Sequence, residues 1–221
     1  MGRPASGYKL ADGTSCPGTT TIIGRFKDSG GLINWAWRQG RDGLNLYDTR
    51  DAAADIGSYV HELIEADIDK ADPPEPPKGF TPAQINQAQE GFGAFVEWTQ
   101  QTRLTIVRKE TPLTCECHRN GGTPDAWAMI NDRLDMLDWK SSKQVYYDYV
   151  IQLADYKHLH EVNYPDEQIG GIHIIRFGKT GCDFTHRYFR ADHPALAIAW
   201  RQFQLMREAY EIDRELKRIA A

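Results

Sequence analysis

The chain has 221 residues, 41% hydrophobic and 26% charged, with a net charge of −5 and a pI near 5.8. That length can bury one sizeable core, and the composition is that of a folded globular chain rather than a disordered or fibrous one. No stretch approaches the roughly 18 uninterrupted apolar residues of a membrane span, Met1 to Leu10 has no signal- or transit-type character, and the acidic balance excludes a protein that coats nucleic acid through bulk positive charge; a cytoplasmic location is expected.

Residues 1–25 read as a turn-rich lead-in. Tyr8-Lys9-Leu10-Ala11-Asp12-Gly13 suits a hairpin or turn, Pro17-Gly18 another, and Thr19-Thr20-Thr21 offers a helix cap before Ile22, Ile23 and Phe26. The spacing of Leu32, Trp35 and Ala36 predicts a helix over 31–38. A better one runs over 51–70, its apolar stripe made of Ile56, Tyr59, Val60, Leu63, Ile64 and Ile68. Ala71 to Gly79 cannot be helical, because its prolines lack the amide proton and clash with the preceding turn; it reads as an exposed connector. Thr81 caps and Pro82 opens the next helix, which runs to about residue 101 and buries Ile85, Phe92, Phe95, Val96 and Trp98.

Strand character follows over 104–110, 113–117, 126–130 and 133–139, with Asn131-Asp132 joining the last two as a hairpin. A helix over 144–162 comes next. A second hairpin pairs 171–177 with 182–189 across Gly178-Lys179-Thr180-Gly181, and Asp192-His193-Pro194 caps a long final amphipathic helix. The order predicts a mixed α/β (α+β) fold, a central mixed β-sheet flanked by helices. It is expected to form one domain over 1–221, with 1–103 mainly helical, 104–190 the sheet core and 191–221 the C-terminal helix.

Of the four cysteines, Cys16, Cys115, Cys117 and Cys182, two lie in Cys115-Glu116-Cys117-His118. That run has the look of a metal clip, but a C-x-C-H pair with no second pair nearby lacks the usual zinc spacing. Free thiols are expected.

The most informative stretch is Gly122-Thr123-Pro124-Asp125 followed by Asp138-Trp139-Lys140. Asp125 comes after a Gly-Gly-Thr-Pro turn, and Asp138 and Lys140 share one face of the next strand. Two carboxylates that can hold a hard cation, with an ammonium beside them, suit phosphodiester hydrolysis. An Asp-x-Lys pair alone is ordinary on an exposed strand. Here it sits in Leu134-Asp135-Met136-Leu137-Asp138-Trp139-Lys140, where an acid amid apolar neighbours is costly unless used; Asp135 faces the other side. The Trp139 backbone carbonyl is a further ligand candidate. Gly57, His61 and Glu65 fall on one helical face, as do Gln152 and Tyr156, each unremarkable without the acids. Phosphate contacts would draw on Arg133, Lys140, Lys143, Lys157, Arg176, Lys179, Arg187 and Arg190, and base stacking on Trp35, Trp37 or Tyr146.

His61 in a G-x-x-x-H helix, Gly122-Thr123-Pro124-Asp125, Asp138-Trp139-Lys140 and Gln152-x-x-x-Tyr156 occur in one order, over about residues 57–156. That order resembles the RecB-like exonuclease branch of the PD-(D/E)XK nuclease superfamily. Tyr8 to Ile23 is similar to the matching stretch of phage-type and mitochondrial genome maintenance exonucleases. The resemblance implies a restriction-endonuclease-like core with an N-terminal helical elaboration. It implies a deoxyribonuclease using one or two Mg²⁺ or Mn²⁺ ions, acting on DNA ends with a single-strand preference, in phage-type recombination, replication or repair. Asp125, Asp138 and Lys140 would be catalytic, with Asp125, Asp138 and His61 as metal ligands and Glu110 as an auxiliary acid. Gln152 and Tyr156, with Ser141 and Lys143, would bind substrate. A single-strand annealing or binding protein is the partner class implied, and a bacterial or phage-infected cytoplasm the setting. The iron–sulfur cluster of some relatives is not supported, since it takes one early and three late cysteines and Cys182 is the only late one here. No G-x-x-x-x-G-K-[ST] run marks a helicase. A structure-selective endonuclease, a non-catalytic DNA-binding module and a hydrolase of small phosphoesters stay open as alternatives.

Overall fold

A computed structural model describes residues 4–177 and 183–220, with the backbone alone for 46–55. The lead-in makes a two-stranded hairpin, β1 (Tyr8–Lys9) and β2 (Ser15–Cys16), and then α1 (Thr19–Arg25). Helices α2 (Gly30–Arg41), α3 (Leu46–Asp69) and α4 (Pro82–Thr102) follow. After them come β3 (Thr105–Lys109), β4 (Leu113–Cys115), β5 (Asn120–Gly122), β6 (Ala126–Ile130), β7 (Arg133–Ser141), α5 (Tyr147–Asn163), β8 (Gly171–Phe177), β9 (Phe184–Arg190) and α6 (Pro194–Ala220).

Strands β3-β6-β7-β8-β9 form a five-stranded mixed sheet; β7 and β8 run parallel, and every other neighbouring pair is antiparallel. The parallel pair is bridged by α5, as parallel strands require a long crossover. Alternation along the strands divides the interior in two. One face, with Ala126, Ala128, Leu137, Trp139, Ile175 and Phe177, packs against Tyr59, Val60, Leu63 and Ile64 of α3 and Phe95 and Trp98 of α4. The other, with Trp127, Met136, Ile172 and Ile174, packs against α1, α5 and α6 through Ile22, Leu153, Leu159 and Phe203. Helices thus cover both faces of a mixed sheet, the expected α/β class, in the manner of a restriction-endonuclease-like core. No described helix is long and apolar enough to cross a membrane.

Local chemistry explains most elements. Thr81 and Gln84 make a reciprocal capping box, with Pro82 in the first turn of α4. Asn131 and Asp132, both at positive φ, turn β6 into β7.

Several expectations need correction. Residues 120–122 form strand β5 against β4 rather than a turn, and β4 stops at Cys115 instead of reaching residue 117. The threonine run does not cap α1: Gly18 is its N-cap without a side-chain bond, because the Thr19 hydroxyl is turned inward to Asp155. Helix α2 forms but buries none of its residues, and Leu32 is 61% exposed, so the Leu32–Trp35–Ala36 stripe is not core. Residues 178–182, with Lys179, Cys182 and the expected β8–β9 turn, lie outside the described residues.

Candidate active site

The registers Lys109↔Ala126 and Ala126↔Leu137 set Glu110, Asp125 and Asp138 side by side across the ends of β3, β6 and β7. The Glu110 N–H donates to the Asp125 carbonyl at 3.0 Å. Glu110 holds this place with φ of 39°, a left-handed backbone costing on the order of 1 kcal/mol for a residue with a side chain. Asp125 Oδ2 accepts the Trp139 N–H at 2.8 Å, so the main chain of Trp139 does reach the site, through its amide. The Trp139 ring faces the other way, edge-on to Phe95.

Asp138 is 1% exposed, and neither of its carboxylate oxygens has a hydrogen-bond partner. Lys140 Nζ stands 2.5 Å from Asp138 Oδ2 as a buried ion pair. Burial pushes the Asp138 carboxyl up to about 6 although Lys140 pulls the other way. Asp125 is raised too, again mainly by burial. The Lys140 ammonium is disfavoured by burial but held protonated by the two aspartates.

Helix α3 closes the site. Gly57 allows the approach, since a Cβ there would lie 2.8 Å from the Ser141 Cβ at the end of β7. One turn later is His61, held down to about 4 by burial and by the Lys140 charge. Its imidazole is therefore neutral at neutral pH, with a lone pair to offer a metal. One turn further is Glu65, and the Glu110 carboxyl is raised by burial and by that neighbouring acid. Glu65, left without a role by the sequence, belongs to the acidic centre; its i+4 spacing from His61 was the available signal.

Gln152 and Tyr156 form the wall behind. Gln152 Nε2 donates to the Tyr156 hydroxyl at 2.8 Å, and Tyr156 is 4% exposed. Burial first, then the Asp138 and Asp125 charges, lift that phenol well above its ordinary range. As placed, the pair packs behind the aspartates rather than extending into solvent. Ser141 faces Gly57, and Lys143 is exposed on the loop beyond β7. Arg176 corrects the set of phosphate candidates: it is 4% exposed and spent on Asp183, Thr185 and the Ser142 carbonyl. Arg133, Lys157 and Arg190 pair with Asp135, Glu161 and Asp192.

Sequence reasoning also missed the support beneath the Gly-Thr-Pro-Asp stretch. Asp155, fully buried, accepts from the Thr19 hydroxyl at 2.6 Å and from Asn120 Nδ2 at 2.9 and 3.1 Å. Burial raises its carboxyl to about 7. The Tyr8 hydroxyl is bonded to Thr123 Oγ1 at 2.9 Å. The only advance signal was two polar side chains, Thr19 and Asn120, beside glycines.

No family model matches this sequence, and no curated protein matches it. Among solved structures, the chain is similar to a candidate exonuclease from Eubacterium rectale, with 19% identity and a TM-score of 0.51 over 70% of this chain and 64% of that one. This chain thus spans less than two thirds of that protein, and the likeness concerns the fold. LHK-Exo, an alkaline exonuclease from Laribacter hongkongensis, aligns at 12% identity over 76% of this chain and 90% of its own, with a TM-score of 0.39. Its complex with dAMP aligns at 12% identity and 0.40, covering 76% and 91%.

Proposed function

We propose that this protein is a metal-dependent DNA exonuclease of the PD-(D/E)XK type, degrading DNA from its ends with a preference for single strands. One observation carries the reading: Asp138 is a buried carboxylate whose oxygens accept no hydrogen bond and whose one partner is the Lys140 ammonium, with Asp125 beside it. An ionised carboxylate is costly to bury unless its ion pair is joined by further partners, and a metal cation would supply one. Mg²⁺ or Mn²⁺ suits the donor set, since Mg²⁺ asks for one or two carboxylates. Asp125 and Asp138 would hold it, with the His61 nitrogen and the Trp139 carbonyl as further donors and Glu110 beside them. When bound, such an ion polarises the phosphodiester and makes water more acidic.

The chain's own residues do the rest. The Trp139 N–H fixes one oxygen of Asp125. Lys140 keeps its proton on Nζ and sets a positive charge where the phosphorane-like state gathers negative charge. Tyr156 and Gln152 exclude water from behind the carboxylates. The fold likeness to a candidate exonuclease supports the reading, as does the motif order, from which the single-strand preference, phage-type recombination or repair context and cytoplasmic setting follow.

The test is incubation of wild type and Lys140→Ala with Mg²⁺ or Mn²⁺ on end-labelled linear single-stranded, linear duplex and covalently closed circular DNA. The expected result is degradation of linear DNA alone, abolished by EDTA and reduced at least about 10²-fold in the variant. Cutting of closed circles would replace the exonuclease with an endonuclease. DNA bound but uncut would overturn the catalytic assignment.

A further inference from the structure

Strand β4 ends at Cys115, and the chain turns through Glu116, Cys117, His118 and Arg119, the last at φ of 49°, before β5 begins at Asn120. The turn folds one sulfur toward the other: Cys115 Sγ and Cys117 Sγ are 3.0 Å apart. From α5, 43 residues further along, His158 Nε2 comes to 3.6 Å from Cys115 Sγ. The two sulfurs and one His158 nitrogen all lie within 4.8 Å of one another.

We propose that Cys115, Cys117 and His158 bind one zinc ion, with water or the neighbouring His118 in the fourth position. Zinc takes thiolate at about 2.3 Å and imidazole at about 2.0–2.1 Å in a tetrahedron, so its ligand atoms stand roughly 3.4–3.8 Å from one another. The Cys115–His158 separation already has that length. The sulfurs need to part by less than an ångström, and Cys117 is exposed and can give. A covalent disulfide, by contrast, needs about 2.05 Å between sulfurs. The absence of a second cysteine pair in the sequence is answered by a histidine from another element, which no local spacing could show.

The surroundings hold the donors in place. Arg207 of α6 donates to the His118 carbonyl at 2.7 Å and the Arg119 carbonyl at 3.4 Å. Ala11 N–H donates to Glu116 Oε1 at 2.7 Å, and Asn163 of α5 to the Thr114 carbonyl at 2.9 Å. The His158 ring is stacked on Trp200, centroids 4.2 Å apart, with the His118 ring edge-on at 5.1 Å. Outer contacts that fix an imidazole are what metal sites use to set ligand orientation. Cys117 and His118 also line a surface cleft of about 340 Å³ with Arg119, Gln204, Arg207 and Glu208, which gives an ion a way in.

Such an ion would tie the β4–β5 turn to α5. Strand β5 leads directly into Gly122-Thr123-Pro124-Asp125, and α5 carries Gln152 and Tyr156. The zinc is therefore a brace between the two segments that lead to the acidic centre, built from ligands outside that centre. It does not depend on the nuclease reading.

The experiment measures zinc by elemental analysis in untagged full-length protein after Zn²⁺ loading and dialysis, for wild type, Cys117→Ser, His158→Gln and Asp138→Asn. Cys117 is exposed, so its serine variant is expected to fold, as circular dichroism checks. The expected result is one zinc per chain in wild type and Asp138→Asn, at least tenfold less in Cys117→Ser and His158→Gln. Cobalt-loaded wild type should show thiolate-to-metal charge transfer and tetrahedral d–d bands, lost in Cys117→Ser. Three outcomes overturn the proposal: wild type without zinc and with both thiols reactive, an intact mass two hydrogens short, or zinc lost in Asp138→Asn yet kept in Cys117→Ser.

Discussion

Asp138 and Asp155 are both buried aspartates, and burial raises both carboxyls, yet they are opposites. Asp155 is enclosed by donors, the Thr19 hydroxyl and the Asn120 amide, and has no cation among its hydrogen-bond partners. Asp138 has a cation, Lys140, and no hydrogen bond at either oxygen. Buried polar groups are nearly always hydrogen-bonded, to protein or to ordered water. An aspartate enclosed by hydrogen-bond donors ties segments together; one that faces only a lysine ties no second segment in that way. Asp155 is thus architecture, binding α1 and β5 to α5, and Asp138 is the group that the proposed function assigns to a metal.

The comparison can be broken most forcefully at Asp155. Asp155→Ala leaves the Asn120 amide, whose Oδ1 already lacks a partner, without its acceptor, while the Thr19 hydroxyl keeps only the Gly121 carbonyl. The expected cost is about 2–4 kcal/mol of stability in denaturant unfolding at pH 6. A loss no larger than that of a surface substitution would show that the cluster ties nothing.

Next in size is the pH dependence of stability in the presence of chelator. A carboxyl raised on folding keeps its proton after the unfolded chain has released it, so its contribution is greatest at low pH and is lost as pH rises. For Asp138 the window is from about 4 to about 6, and for Asp155 from about 4 to about 7. Each unit is worth about 1.4 kcal/mol. Asp138→Asn should therefore be the more stable protein above pH 6, by on the order of 3 kcal/mol, with the difference vanishing near pH 4. Added Mg²⁺ should reverse the order above pH 6, because the ion takes the ionised carboxylate, and should leave a wild type–Asp155→Asn difference curve unmoved. If Mg²⁺ shifts both curves alike, the distinction between the two aspartates fails. The smallest effect is expected at the edge of the same region. Tyr8→Phe removes the bond to Thr123 and should lower stability by about 1 kcal/mol, leaving the melting difference between Asp138 variants unchanged.

How much was legible follows from how far apart the cooperating residues lie. Thr81 and Gln84 announce the start of α4 within four residues, and the strand alternation from Leu134 to Lys140 sets Asp138 and Lys140 on one face and Asp135 on the other. The hairpin signal at Asn131-Asp132 was enough to place Asp125 opposite Asp138. Helical spacing put Gly57, His61 and Glu65 in line, though the use of Glu65 emerged only where α3 crosses Glu110. The same periodicity misled at α2, where Leu32 repeats as core residues do and faces solvent. Arg176 read as a phosphate contact, as its charge suggests, and is a buried strut instead.

What the sequence determined by itself was the element order, the α/β class and the set of acids and lysine at the strand ends, because each is encoded by neighbours within a turn or a pleat. Tertiary structure alone decided that Thr19 meets Asp155 across 136 residues, that Tyr156 turns its hydroxyl to Gln152 behind the aspartates, and that His158 completes a triangle with Cys115 and Cys117. Those contacts join segments whose meeting depends on how whole faces pack, and no local period carries that information.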